Sequence, residues 1–399
     1  MKVSYLILAA LAPFALAKAP LMNRDTADAI ADNYIVVMKK ADPSKIRSHY
    51  RLMHTSSQIT KGDDKGIVKT YQVSGFNGYH IKCDNTTLEK IRNDPIVDYV
   101  ARDGRVTAQA VHRLPRAEPA TNNWGLGRIS HREPGATAYI DQIAAPTHAY
   151  ILDTGIRITH KEFGGRATWG KNFIDGAPDI DDNGHGTHTA ATVGGNTVGV
   201  DNSTRLIAVK VMDHTSSGSW SGLIAGIDWA VNDAQTQGRI TRSVINMSIG
   251  GPQFSALDDC VKNAVAAGMT VVVAACNYGA DACTYSPAAV PEAITVAATD
   301  ESDTRPSWSN WGKCVDIFAP GKNIVSAWMD SDTSYMNMSG TSMASPHIAG
   351  LATYLMSREF VSGPGNIAKR MVELGTPGKV KNPNGSPNLI AFNGNKVEL

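Results

Sequence analysis

Apolar residues recur along this chain in two rhythms, and the change from one to the other divides it. Residues 34–38 (Tyr-Ile-Val-Val-Met) read as a strand, 43–54 as a helix, 78–81 as a strand, 86–92 as a helix and 97–101 as a strand again. That βαββαβ-like order predicts a small ferredoxin-like α+β sandwich over about 33–107. Further on, the strand signals become nearly continuous apolar runs at 149–152, 206–212, 244–249, 270–275 and 294–298. Between them, 222–235 has helical spacing and stops near Gly238. A second helix opens at Ser255, read as an N-cap with Asp258 three residues on, and stops at Gly268. Strands apolar on both faces and separated by helices imply a parallel sheet covered on both sides. The second unit is therefore expected to be a doubly wound α/β domain.

Composition changes this picture at the ends and at the junction. Lys2 precedes an apolar run, 6–16, that is too short to span a bilayer and ends in Ala15-Leu16-Ala17. A secretory signal peptide, residues 1–17, is the expectation. No later run is long enough for a membrane helix. Around 107–123, Pro115 and Pro119 sit among small and polar residues without apolar period, which predicts a linker and a boundary near Arg116. Residues 18–116 hold 17 Lys+Arg against 11 Asp+Glu, a net +6, while 117–399 hold 20 against 26, a net −6. Opposite charge favours docking of one unit on the other. The overall net charge of +1 gives no reason to expect nucleic acid or a membrane surface as partner. Five cysteines in an exported chain permit disulfides and leave at least one thiol unpaired.

Three stretches place a reactive side chain in a glycine-bounded turn. A buried strand ends in Asp153-Thr154-Gly155, two glycines flank His185 in Asn183-Gly184-His185-Gly186-Thr187-His188, and Gly340-Thr341-Ser342-Met343-Ala344 opens a helix running to about Glu359. A serine hydroxyl becomes a nucleophile when an imidazole removes its proton, and the imidazole needs a carboxylate to hold its tautomer. Carboxyl ends of parallel strands are where an open α/β sheet gathers such groups. The chain order Asp, His, Ser over long separations is the order known from subtilisin.

These stretches, with Trp124-Gly125-Leu126-Gly127-Arg128-Ile129-Ser130, resemble the motifs of the subtilisin-like serine proteases (subtilases), in their fungal proteinase K-like branch. The segment 34–37 and Gly75-Phe76-Asn77-Gly78 resemble the inhibitory propeptide of that family. The resemblance implies a secreted, self-inhibited endopeptidase that forms an acyl-enzyme, with 18–116 as propeptide and 117–399 as catalytic domain. It makes Asp153, His185 and Ser342 the triad, and the Asn277 amide and the Ser342 N–H the oxyanion hole. It places substrate against Ser248, Ile249, Gly250 and Gly251, facing Ala274, Ala275 and Cys276, and implies large apolar or aromatic P1 residues, P1 being the residue whose carbonyl is attacked. Most relatives have glycine at the position of Cys276. Strand alternation aims that thiol away from the face used by Asn277, so a buried, inert thiol and a pocket-lining one are both open, the second implying an altered P1 preference or sensitivity to thiol reagents.

The resemblance further implies a Cys283–Cys314 disulfide and a structural calcium on Asp316 with the carbonyls of Pro291 and Ala293, but no cofactor for catalysis. Cys260 shares an apolar helix face with Leu257, Val261 and Ala264 and reads as a core thiol. Glycosylation sequons stand at Asn85, Asn202 and Asn337, and a fourth, Asn246, falls in a buried strand. Expected partners are peptide and protein substrates and the propeptide itself, on a monomer that is secreted or, alternatively, vacuolar. A kexin-like processing protease would need acidic pockets and a further β domain, for which the chain ends too soon. An inactive homologue acting as a binding protein would lack part of the triad or the oxyanion Asn.

Overall fold

The computed structural model of the chain describes residues 18–23, 28–56, 66–108, 112–114, 123–139 and 146–395. The expected signal peptide and the boundary at Arg116 lie outside them. The first unit is a mainly antiparallel sheet, with the short strand Leu21–Met22 added in parallel on Val97–Thr107, and two helices on one face. The strand Ala29–Met38 runs between Phe76–Lys82 and Val97–Thr107, and Gly66–Val73 forms a hairpin edge on Phe76–Lys82. The helices Pro43–Ser56 and Asn85–Asn93 occur where helical spacing placed them. Asp84 caps the second, its carboxylate accepting the Thr87 N–H at 2.8 Å. The strand Gly66–Val73 lies outside the runs that apolar patterning marks. Its Tyr71 and Val73 pack toward the second unit and alternate with the exposed Thr70 and Gln72.

In the second unit, seven parallel strands lie in the order Ala167–Asn172, Arg205–Lys210, His148–Asp153, Ser243–Met247, Thr270–Ala274, Ile294–Thr299 and Ile317–Pro320. A short antiparallel pair, Thr376–Pro377 and Leu389–Ile390, closes the far edge. The last four of the seven strands are buried along their whole length, as continuous apolar runs require. From His148–Asp153 the chain goes to the edge strand Ala167–Asn172, returns as Arg205–Lys210 between the two, and then crosses to build the other side. The carboxyl end of that strand, where Asp153 stands, is thus a topological switch point, the usual place for a site in an open α/β sheet.

Ser255 does not cap its helix. It is the first helical residue of Ser255–Ala266, Phe254 is the cap, and Ser286 Oγ instead accepts the Phe254 N–H at 2.7 Å and donates to Asp258 at 2.8 Å. The first unit lies with its sheet across this helix and across Trp220–Thr236. Val37, Tyr71, Phe76 and Val106 share one apolar cluster with Trp220, Ile224, Leu257 and Val261. At its margin, Asp103 accepts the Ser221 N–H and hydroxyl at 3.1 and 2.6 Å, which caps the start of Trp220–Thr236 from outside. Asp228 and Asp259 accept the Gln72 N–H and the Tyr99 hydroxyl at 2.7 and 2.5 Å. The docking expected from opposite charge is therefore built on apolar burial and hydrogen bonds from neutral donors to carboxylates.

Candidate active site

Three elements converge at the carboxyl edge of the sheet. Asp153 ends its strand fully buried, His185 begins the helix His185–Gly194, and Ser342 is the second residue of the helix Thr341–Arg358. His185 Nδ1 lies 2.8 and 3.0 Å from the two Asp153 oxygens. The Thr154 N–H (2.7 Å) and the Thr189 hydroxyl (3.2 Å) also donate to that carboxylate. With Nδ1–H given to Asp153, Nε2 is the basic nitrogen, and it is buried without a hydrogen-bond partner. Ser342 Oγ–H donates at 2.9 Å to the Ser248 carbonyl, so proton transfer to His185 requires the hydroxyl to turn. Catalytic hydrogen bonds are often unmade until substrate is bound.

The turn that carries His185 is held by a residue that no motif picks out. Asp181 accepts five hydrogen bonds, from the Thr154 hydroxyl (2.8 Å), the N–H groups of Asn183 (3.1 Å), Gly184 (2.9 Å) and Thr187 (2.9 Å), and the Thr187 hydroxyl (2.5 Å). Gly184 has φ +101°, and a Cβ there would meet the Trp328 ring at 2.5 Å. Only glycine serves both demands. The neighbouring His188 is structural: Nε2 donates to the carbonyls of Ile324 and Met336, and burial lowers its pKa to about 3.

Asn277 follows the strand Thr270–Ala274 across the cleft. One side-chain atom accepts both the Thr341 N–H and the Thr341 hydroxyl at 2.8 Å. An acceptor of a backbone N–H must be oxygen, so Nδ2 is the amide atom turned away from Thr341, on a residue that lines the pocket beside Ser342. The serine helix is tied from beneath. Ser248 Oγ donates to the Ser342 carbonyl (2.9 Å), Asn246 Nδ2 donates to Ser248 Oγ (3.1 Å), and Ser345 Oγ donates to Asn246 Oδ1 (2.9 Å). Asn246 is thus a buried polar anchor rather than a glycan acceptor.

A pocket beside Ser342 is lined by Ser248, Ile249, Gly250, Ala274, Cys276, Asn277 and Thr341. Two sequence expectations change here. Ala275 is absent from this wall and packs behind it with Ala282, Ala288, Ala297 and Phe318. Alternation would aim Cys276 away from the Asn277 face, but its φ of +76° breaks the alternation and brings it onto the same pocket. The pocket is about 10 Å³, room for about one water. Gly251 lies further along the cleft, against Trp220 and Val106.

The edge that receives an extended segment is Ser217–Ser219, which has no counterpart among the sequence expectations. Arg105, Val106 and Thr107 pair antiparallel with Ser219, Gly218 and Ser217, and the Ala108 N–H donates to the Ser216 carbonyl at 2.9 Å. The first unit thus lays the end of its strand Val97–Thr107 along Ser217–Ser219 as an added β-strand. A run of glycine and serine after a tight turn carries no apolar alternation, so no periodicity could have marked it.

The Cys283–Cys314 disulfide is present, with Cα atoms 5.3 Å apart. Cys260 and Cys83 are buried in the two cores. Asp316 abuts the strand start at Thr295, whose N–H donates to its carboxylate at 2.8 Å. Among the described residues no three His, Cys, Asp or Glu are gathered, so a cation there would depend on carbonyl oxygens. Asn85 is exposed, while Asn202 and Asn337 are half-buried. Among the described residues, no helix is long and apolar enough to cross a membrane.

Comparison with known proteins agrees with this geometry. Residues 150–374 match the model of the subtilase family, and 33–109 match that of peptidase inhibitor I9. Subtilisin-like protease 2 of Pseudogymnoascus destructans is 43% identical over 394 residues, covering 98% of this chain and 96% of that protein. Alkaline protease 1 of Aspergillus clavatus is 40% identical over 404 residues, covering 98% of each. The crystal structure of a cold adapted subtilisin-like serine proteinase superposes with a TM-score of 0.64 at 41% identity, covering 69% of this chain and 99% of that one. The fold and the comparisons define a serine endopeptidase made with an inhibitory propeptide. The chain belongs to the subtilase family.

Proposed function

We propose that this endopeptidase cleaves peptide bonds through an acyl-enzyme on Ser342. The reading rests above all on the buried Asp153–His185 pair with an unpartnered Nε2. His185 Nε2 takes the Ser342 proton as Oγ attacks the carbonyl carbon. The Asn277 Nδ2 and the Ser342 N–H hold the oxyanion, His185 then protonates the leaving amine, and water cleaves the ester by the same steps. Asp153 holds the imidazole tautomer and offsets its charge when protonated. The strand 105–107 on Ser217–Ser219 supports self-inhibition by the first unit, and the docking geometry favours a maturation cut between Ala108 and Arg116. A fluorophosphonate probe should label wild-type mature protein on Ser342 and leave Ser342→Ala unlabelled. Equal labelling of the two would overturn the assignment.

Residues 1–17 support export, to the medium or alternatively the vacuole; microsequencing of secreted protein tests both export and the cut. A calcium on Asp316 with the carbonyls of Pro291 and Ala293 fits the donor chemistry. Although Asp316 is exposed as a residue, desolvation raises its carboxyl to about 6 against one backbone hydrogen bond, which a cation would relieve. Chelation should lower the melting temperature of wild type and not of Asp316→Asn. Asn85 and Asn202 are the sequons whose setting best suits a glycan, tested by the mass shift on deglycosylation.

A further inference from the structure

The pocket beside Ser342 is where the P1 side chain must go, since the attacked carbonyl sits between Ser342 Oγ and Asn277. This inference rests on that catalytic reading. One wall is Ser248 to Gly250; the other is Ala274 and Cys276. The thiol of Cys276 reaches across: a Cβ built on Gly250 would lie 2.5 Å from Cys276 Sγ, 3.0 Å from the Ser286 carbonyl oxygen and 3.7 Å from Pro287 Cδ. The two walls are therefore in van der Waals contact through sulfur, and the floor at Ser286 and Pro287 is shut off behind it.

We propose that Cys276 is the residue that sets P1 specificity, restricting P1 to glycine, alanine or serine by filling the space a larger side chain would enter. The thiol acts by volume and not by reactivity. Cys276 is 6% exposed, and burial pushes its pKa up to about 12, so almost no thiolate exists to react with reagents. Of the readings that the sequence leaves open for this cysteine, contact with the pocket argues against an inert thiol and the raised pKa against reagent sensitivity, which leaves altered selectivity. The backbone explains how the thiol gets there. At φ +76° the Cα–Cβ bond points into the cleft, whereas a β conformation would turn it to the other side of the strand.

The test uses the mature enzyme and internally quenched peptides of the series Val-Thr-Ala-X, which repeat residues 106–108 and vary X at P1. Active enzyme is counted by fluorophosphonate titration. Wild type is expected to cleave after alanine with a kcat/KM about tenfold or more above that after phenylalanine. Cys276→Gly, which suits a left-handed position, should raise kcat/KM for phenylalanine by about ten- to two-hundredfold relative to alanine, the range that pocket volume commands. Cys276→Ala should fall between. Wild type that cleaves after phenylalanine as readily as after alanine overturns the proposal, as does a ratio unmoved in both variants. Labelled enzyme with a flat profile overturns the pocket assignment alone; unlabelled enzyme overturns the catalytic reading with it.

Discussion

Asn277 and Asp181 are two kinds of residue in one site, and only one kind is visible in the sequence. Asn277 can be identified there through the family resemblance, whereas an Asn at a strand end would by itself read as a turn former. Replacing it with alanine should lower kcat about a hundred- to a thousandfold while KM changes little, because its donor serves the oxyanion and not the ground state. A rate within threefold of wild type would exclude it from that role. Asp181 works only through others, accepting from five donors that shape the His185 turn. Nothing in the string Asp181-Asp182-Asn183 says which carboxylate folds inward, since the choice depends on where Thr154 and Thr187 lie in space. Asp181→Ala should cost roughly 3 kcal/mol or more of stability, as several buried N–H groups lose a charged acceptor, and calorimetry of the Ser342→Ala precursor would measure it. Cys276 marks a third case: its identity is legible as a break in pattern, but its direction is not, because alternation fails at one left-handed φ.

Among the elements, sequence period locates the strands and helices well and their ends poorly. The run 270–275 reads as one strand, but pairing stops at Ala274, where the chain turns to present Cys276 and Asn277. Ser255 reads as a cap from local chemistry, yet Ser286, distant in sequence, supplies the hydroxyl that the helix start uses. Packing also fixes the acid limit of the fold. His188 and His347, on the two helices that carry His185 and Ser342, are buried and neutral, with pKa values lowered by desolvation to about 3 and 4 from 6.5. The unfolded chain takes up protons below about pH 6.5 and the folded chain does not until about 4. Stability should therefore fall as pH drops through that window, by a few kcal/mol at pH 4 for each group. Chemical denaturation of the Ser342→Ala precursor at pH 7 and pH 4.5 would show it, and His347→Gln should flatten the slope. The Cys283–Cys314 bridge closes a segment of sequence separation 31. Replacing both cysteines by serine should cost at most about 3–4 kcal/mol, read as a lower melting temperature.

For the whole molecule, the two units are legible in the sequence and their manner of joining is not. Opposite net charges point to a contact but cannot show that Val37, Tyr71, Phe76 and Val106 share a core with the helices of the second unit. An apolar interface of this kind predicts inhibition that survives salt. Isolated first unit added to mature enzyme should inhibit it with a constant that changes little between low and high ionic strength, and Val106→Asp should weaken it by at least tenfold. Steep salt dependence would return the interface to electrostatics. The strand 105–107 held on Ser217–Ser219 also bears on the order of activation. While the chain is continuous, the inhibitor is present at the cleft at an effective concentration on the order of millimolar, whatever the amount of protein. Cutting the tether removes that constancy without moving an atom of the interface. Activation then becomes a matter of dilution: a concentrated store of cleaved molecules stays silent, and the same molecules become active when they disperse.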